Sequence, residues 1–130
     1  VELVEYLHHS QMPFNTGSVS LAAAAASLDD HDYQRRSTQL VKEEREYLYT
    51  AFDELDLDYV RSEANFILMV NLPIKAQELV SSVLRKGVII RWGGSMGMPE
   101  AVRVTLGRHE ENVEFVAALR AVLEEAKVMA

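Results

Sequence analysis

The sequence predicts an α/β domain of the α+β type, a small mixed or mostly antiparallel sheet with helices on one face. Three observations carry that prediction. Val102, Val104 and Leu106 alternate with Arg103 and Thr105, so on a strand the apolar three share one face and Arg103 and Thr105 the other. Around 40–55, 76–84 and 113–123 the apolar residues instead fall three and four apart, the spacing of helices with one buried side. After the opening turns the order reads helix, helix, strand, strand, helix, strand, strand, helix, with runs too short for many parallel crossovers. With the apolar side of the last strand beneath helices, Arg103 and Thr105 point to an open face.

A chain of 130 residues is long enough for one domain with a real core. Its net charge of −7 argues against nucleic acid or an anionic membrane as partner, because neither is attracted to it. The absence of cysteine excludes disulfides, thiolate metal sites and a cysteine nucleophile. No apolar run approaches a membrane span and nothing at the start reads as a signal peptide, so a cytoplasmic setting is the expectation.

VELVEYLHH reads as a helix already under way, with no initiator methionine and no cap before it, as in a piece of a longer chain. SQMPFNTGS, with Pro13, Asn15 and Gly17, ends it. Ser18 or Ser20 is placed to cap a helix through LAAAAAS, whose small side chains suit close packing on a surface that need not lie within this chain. Asp29 and Asp30 can cap a longer helix to about Leu55, in which Leu40, Val41, Tyr47, Leu48, Ala51, Phe52 and Leu55 form the apolar side and Lys42 to Glu46 a solvated one. We divide the chain accordingly into a joining segment, 1–28, and a domain, 29–130.

LDYVRS is a weak strand and FILMV, Phe66 to Val70, a strong one. Ala76, Leu79, Val80, Val83 and Leu84 stripe the next helix, closed by Arg85, Lys86 and Gly87. The run Val88 to Arg91 is continuously apolar, as in a strand covered on both sides, and delivers Arg91 near its exit. A flexible glycine-rich loop with Gly93, Gly94, Gly97 and Pro99 leads to the strand bearing Arg103. Glu110 and Glu111 suit the start of the last helix, whose buried side is Val113, Val116, Leu119, Val122 and Leu123.

Two arginines on neighbouring strands around such a loop suit the holding of an anion, since guanidinium offers a rigid fork to carboxylate or phosphate. Rival chemistries are poorly represented. His8, His9, His31 and His109 lack the spacing of a helical metal pair, GGSMG is neither a phosphate loop nor a dinucleotide fingerprint, and no serine has a nucleophile-elbow context.

MPFNTGSVSLAAAAASLDD, SEANFILM and GVIIRWGGSMGMPEAVRVTLGRHEEN together resemble the C-terminal third of histidinol-phosphate aminotransferase and its close relatives, pyridoxal-phosphate enzymes of fold type I. The last motif is the specific one: Arg91, paired Gly93 and Gly94, Gly97 and Pro99, Arg103, Gly107, then Glu110, Glu111 and Asn112. Arg108 and His109 depart from it, because relatives commonly carry threonine or serine and then proline there, which weakens the expected helix cap.

The resemblance implies that Arg103 grips the substrate α-carboxylate and that Arg91 helps hold the phosphate end of histidinol phosphate. It implies glutamate or 2-oxoglutarate, and histidinol phosphate or imidazole acetol phosphate, as substrates. The loop of Pro13 to Asn15 would lie near the substrate side and the dimer interface, and Asn65 and Phe66 would give structural support. Pyridoxal 5'-phosphate, its Schiff-base lysine and its aspartate would belong to a preceding large domain of a homodimeric enzyme. Hence no catalytic residue, cofactor ligand or metal ligand is expected within this chain, which alone should be inactive. The alternatives are a related fold-type I enzyme, such as an aromatic aminotransferase or a threonine-phosphate decarboxylase, and a freestanding small-molecule-binding βα module.

Overall fold

The structure is a computed structural model that describes residues 2–11 and 15–129. They fall into two compact units, Val1–Arg36 and Ser37–Ala130. The first contains helices α1 (Glu2–Ser10) and α2 (Ser18–Asp29) and the opening turns of α3 (His31–Glu54). Every residue of α2 is exposed. Its alanines supply the helix by propensity alone. Neither Ser18 nor Ser20 caps it: the residue ahead of the helix is Gly17, in extended conformation and without a capping side chain. Asp30 does cap α3, its Oδ1 accepting from the Tyr33 amide at 2.9 Å. Pro13 lies outside the described residues.

The second unit adds strands β1 (Tyr59–Val60) and β2 (Phe66–Met69), helix α4 (Ala76–Arg85), strands β3 (Arg91–Trp92) and β4 (Val102–Thr105), and helix α5 (His109–Met129). The sheet order is β1-β2-β4-β3 and every neighbouring pair is antiparallel. Ile67, Met69, Val102 and Val104 face one way and are sealed beneath Leu48 and Phe52 of α3, Leu79 and Val83 of α4, and Leu119 of α5. Helices thus cover one face of the sheet, as the alternation in β4 predicts. Phe52 is fully buried at the centre, where truncation to alanine would cost about 3–5 kcal/mol. Helix α4 stops where expected. Gly87 takes φ +88°, its amide bonds to Leu84 O and that of Val88 to Val83 O, a closing turn in which a Cβ would be strained.

Within the strands and helices of the second unit, four expectations need correction. The run Val88 to Arg91 is not a strand covered on both sides: β3 is Arg91–Trp92 at the sheet edge, Arg91 opens it, and Ile89 is exposed. Residues 88–90 are still leaving the helix turn and have no ladder partner. In α5 the inward side holds Asn112, Phe115 and Ala118, while Val113 is exposed, because the Asn112 amide is bonded within the core. Leu84 turns outward past the end of its stripe. Glu44 and Arg45, read as part of a solvated charge run, are buried.

The last correction has a specific physical cause. Glu44 Oε2 accepts from Asn112 Nδ2 at 2.8 Å, and Glu44 Oε1 lies 3.0 Å from His109 Nδ1. Asn112 also bonds both main-chain groups of Gly107 at 3.1 Å. These bonds tie α3 to the start of α5, and a buried carboxylate so bonded is tolerated. The cap of α5 is supplied despite Arg108. Glu111 Oε2 accepts the Arg108 amide at 2.8 Å, and Oε1 takes the Arg108 side chain at 3.0 Å. The Arg108 side chain, then its amide, hold the Glu111 carboxyl below the usual carboxylate range.

Candidate anion-binding face

The register across the sheet pairs Val60 with Leu68, Leu68 with Arg103, and Arg103 with Arg91. Residues directly opposite one another share a face, so these four form one row on the side away from the helices. Phe66 and Thr105, paired with each other, stand in the next row of that face. The two arginines that the sequence singles out are therefore immediate cross-strand neighbours. Sequence reasoning put them on neighbouring strands; their direct opposition comes from the register.

Like charges placed opposite one another destabilise a strand pair by a few tenths to about 1 kcal/mol unless something neutralises them. No acid among the described residues does so. The ion pairs formed by the described residues lie elsewhere, and neither guanidinium enters one. Arg91 is exposed and Arg103 half-buried. Arg103 Nε is buried without a hydrogen-bond partner, and its Cζ lies 5.3 Å from the centroid of the Phe66 ring. Such an arrangement can bind one anion bridging both cations, or two anionic groups of one ligand, through charge-assisted hydrogen bonds.

The segment between the arginines, expected to be a flexible loop, is braced by its own bonds. Gly93 to Met96 make a short 3₁₀ turn, Gly93 N–H donates to Ala101 O at 2.9 Å, Met98 N–H to Gly93 O at 3.0 Å, and Trp92 Nε1 to Pro99 O at 2.8 Å. Gly93 is required by proximity, since a Cβ would meet Ala101 O at 2.9 Å and fall closer still to Met98 O. Gly97 is required by its φ of +77°. The glycines thus serve the loop's own main chain.

Asn15, the third residue picked out by the sequence, belongs to the first unit, where it is exposed ahead of α2. The resemblance marks Phe66 only as strand support, and nothing in the linear pattern marks its ring as the cover of Arg103. A cavity of about 530 Å³ lies among Glu54, Leu55, Pro73, Ile74, Arg120 and Leu123 on the helical side. Of its two arginine-or-lysine charges one, Arg120, stands 3.3 Å from Glu54, and Asp56, Glu124 and Lys127 line it as well, a mixed-sign wall with no pair of like cations, so the open face with its two opposed arginines is the stronger candidate for an anion. Among the described residues no group of three acidic, histidine or cysteine side chains is placed to hold a metal, and no helix is long and apolar enough to cross a membrane.

Residues 2–119 match the sequence profile of the aminotransferase class I and II family. The chain is 42% identical over 124 residues to a histidinol-phosphate aminotransferase of Symbiobacterium thermophilum, covering 95% of this chain and 34% of that protein. It is 41% identical to histidinol-phosphate aminotransferase 1 of Nitrosococcus oceani, covering 95% and 33%. The chain thus spans about a third of the length of the curated relatives it matches. Among solved structures, the histidinol-phosphate aminotransferase of Clostridium acetobutylicum superposes with a TM-score of 0.76 at 24% identity, over 95% of this chain and 38% of that one, a likeness of fold. A putative aminotransferase of Burkholderia pseudomallei gives 0.72 at 26%, over 91% and 36%.

Proposed function

The chain belongs to the class I and II aminotransferase family, and from that premise we propose that it is the C-terminal small domain of a histidinol-phosphate-type aminotransferase. In this reading the segment 1–28 joins the domain 29–130 to a large domain of a homodimeric, pyridoxal-phosphate-dependent enzyme. The domain's task is to hold substrate by its anionic ends. The observation that carries the reading is the direct opposition of Arg91 and Arg103 on the open face, with no acid among the described residues paired to either.

Such an enzyme has to accept glutamate, with its α-carboxylate, and a phosphorylated amine that has none. Arg103, half-buried and backed by Phe66, takes the α-carboxylate, and the more exposed Arg91 takes the phosphate. Holding the anion fixes the amine end of the substrate in one place, which turns an encounter into an oriented reaction. Bound substrate also removes the repulsion between the two cations. The residues of this chain do not themselves fit the cofactor. Its four lysines, Lys42, Lys75, Lys86 and Lys127, are all exposed, and Lys86 Nζ is 2.7 Å from Glu125. A Schiff-base lysine needs a desolvated setting. In this proposal the electron sink and its lysine lie in the large domain. The chain alone should then develop no Schiff-base absorbance with pyridoxal phosphate; a band lost on borohydride reduction would refute that.

Kinetics on the full-length enzyme test the assignment. Arg103→Ala should weaken both substrates, by about 2–5 kcal/mol in kcat/KM for a group that leaves an anion unpaired in a partly dehydrated site. Unchanged efficiency with glutamate would remove Arg103 from the role. Arg91→Ala should penalise histidinol phosphate more than glutamate, and equal penalties would refute the division. A panel including aromatic amino acids and threonine phosphate identifies the substrate class.

A further inference from the structure

We propose that Phe66 is a positioning residue for the anion clamp: its ring holds the Arg103 guanidinium in a bound-ready orientation and tunes affinity for the substrate carboxylate. The inference rests on the reading of Arg103 given above. Phe66 is the first residue of β2, paired with Thr105, and stands diagonal to Arg103 across the β2–β4 ladder. At 5.3 Å from the ring centroid, Arg103 Cζ is within the range at which a cation is drawn to an aromatic face. Ring and guanidinium are both half-buried, so the attraction is less screened than at a bare surface.

Arg103 Nε, buried and unbonded, gives the contact its meaning. A free arginine would turn that donor to water or to a carbonyl. Here packing excludes both, and the only other interaction of the guanidinium among the described residues is with the ring. Phe66 therefore supplies without an acid what a carboxylate would otherwise supply. It limits the rotamers of a long side chain while leaving its charge unneutralised and its fork open to a ligand. An acid in the same place would fix the arginine equally well and compete with the substrate for it. Leu68, directly opposite Arg103 and on the same strand as Phe66, has an apolar side chain that offers no hydrogen-bond partner.

The test uses the full-length enzyme. Phe66→Leu should raise KM for glutamate roughly 3- to 30-fold with a smaller change in kcat, and Phe66→Tyr, which keeps the ring face, should restore it. Pentafluorophenylalanine at 66 keeps the shape but reverses the charge distribution of the ring, so it should raise KM even if the leucine variant folds poorly. Arg103→Ala is run beside them. Loss of glutamate affinity in Arg103→Ala but not in the leucine or fluorinated variants overturns the role of Phe66 alone. An unaltered Arg103→Ala enzyme overturns the underlying reading instead. If Phe66→Leu is as damaging in the Arg103→Ala background as in the wild type, the ring acts independently of the arginine and the proposal fails.

Discussion

Arg45 and Arg103 share one unusual feature and differ in everything that follows from it. Each has a buried Nε with no partner. In Arg45 the end of the fork is engaged within the chain, Nη1 donating to Glu63 Oε2 at 3.3 Å and Nη2 to Ala64 O at 3.2 Å. In Arg103 it is engaged, among the described residues, by nothing but the face of the Phe66 ring. The first arginine belongs to the scaffold, fastening α3 to the segment before β2; the second is kept in reserve. What separates a structural from a binding arginine here is whether the far end of the side chain already has its acceptors.

That contrast can be broken by exchanging the measurements. Arg103→Lys should keep the charge yet lose the fork, lowering glutamate efficiency of the full-length enzyme by about 1.5–3 kcal/mol while the unfolding midpoint stays put. A parallel drop in the midpoint would make Arg103 a scaffold residue like Arg45. Arg45→Ala should do the opposite, destabilising by about 1–3 kcal/mol in urea titration through the orphaned Ala64 carbonyl and the vacated space, with KM for glutamate unchanged. A rise in KM would show that the two arginines are not functionally distinct. Arg91→Thr should relieve the like-charge opposition and stabilise the fold by about 0.2–1 kcal/mol in the absence of substrate. No gain in low salt would mean the repulsion is already dissipated.

The smallest effect concerns the start of α5. Because the folded-state pKa of Glu111 is depressed, its contribution is present above the ordinary carboxylate range, near 4.5, and fades as pH falls through the lower folded value. Arg108→Ala should flatten that part of the acid limb of the stability curve, read from urea midpoints taken from about pH 7 to about pH 3. An unchanged limb would show that Arg108 does not hold the carboxylate.

How much of this was legible in the sequence depends on the distance over which the deciding interactions act. The Asp30 cap, the stop at Gly87 and the faces of β4 are local, set by residues one to five positions apart, and each was readable. The pattern of two short strands around a glycine-rich loop picks out the two arginines, the alternation in β4 orients Arg103, and the resemblance adds only the roles expected of them. The burial of Glu44 and Arg45 was not readable, because the groups that satisfy them lie 68 and 18 residues away, at Asn112 and Glu63. Until those partners are known, a charge inside a helix looks solvated. The same holds for Phe66, whose neighbour on the open face is fixed by a strand register that no local pattern specifies. The run 88–91 misled for another reason: apolar continuity suggests a strand covered on both sides, but here it only carries the chain out of a helix turn to an edge.

That sheet ends in two-residue strands on both sides, β1 and β3. An unpaired border so brief offers an incoming chain too few main-chain donors and acceptors to extend the ladder. The module can therefore display an apolar, cationic surface in its middle and still resist edge-to-edge aggregation.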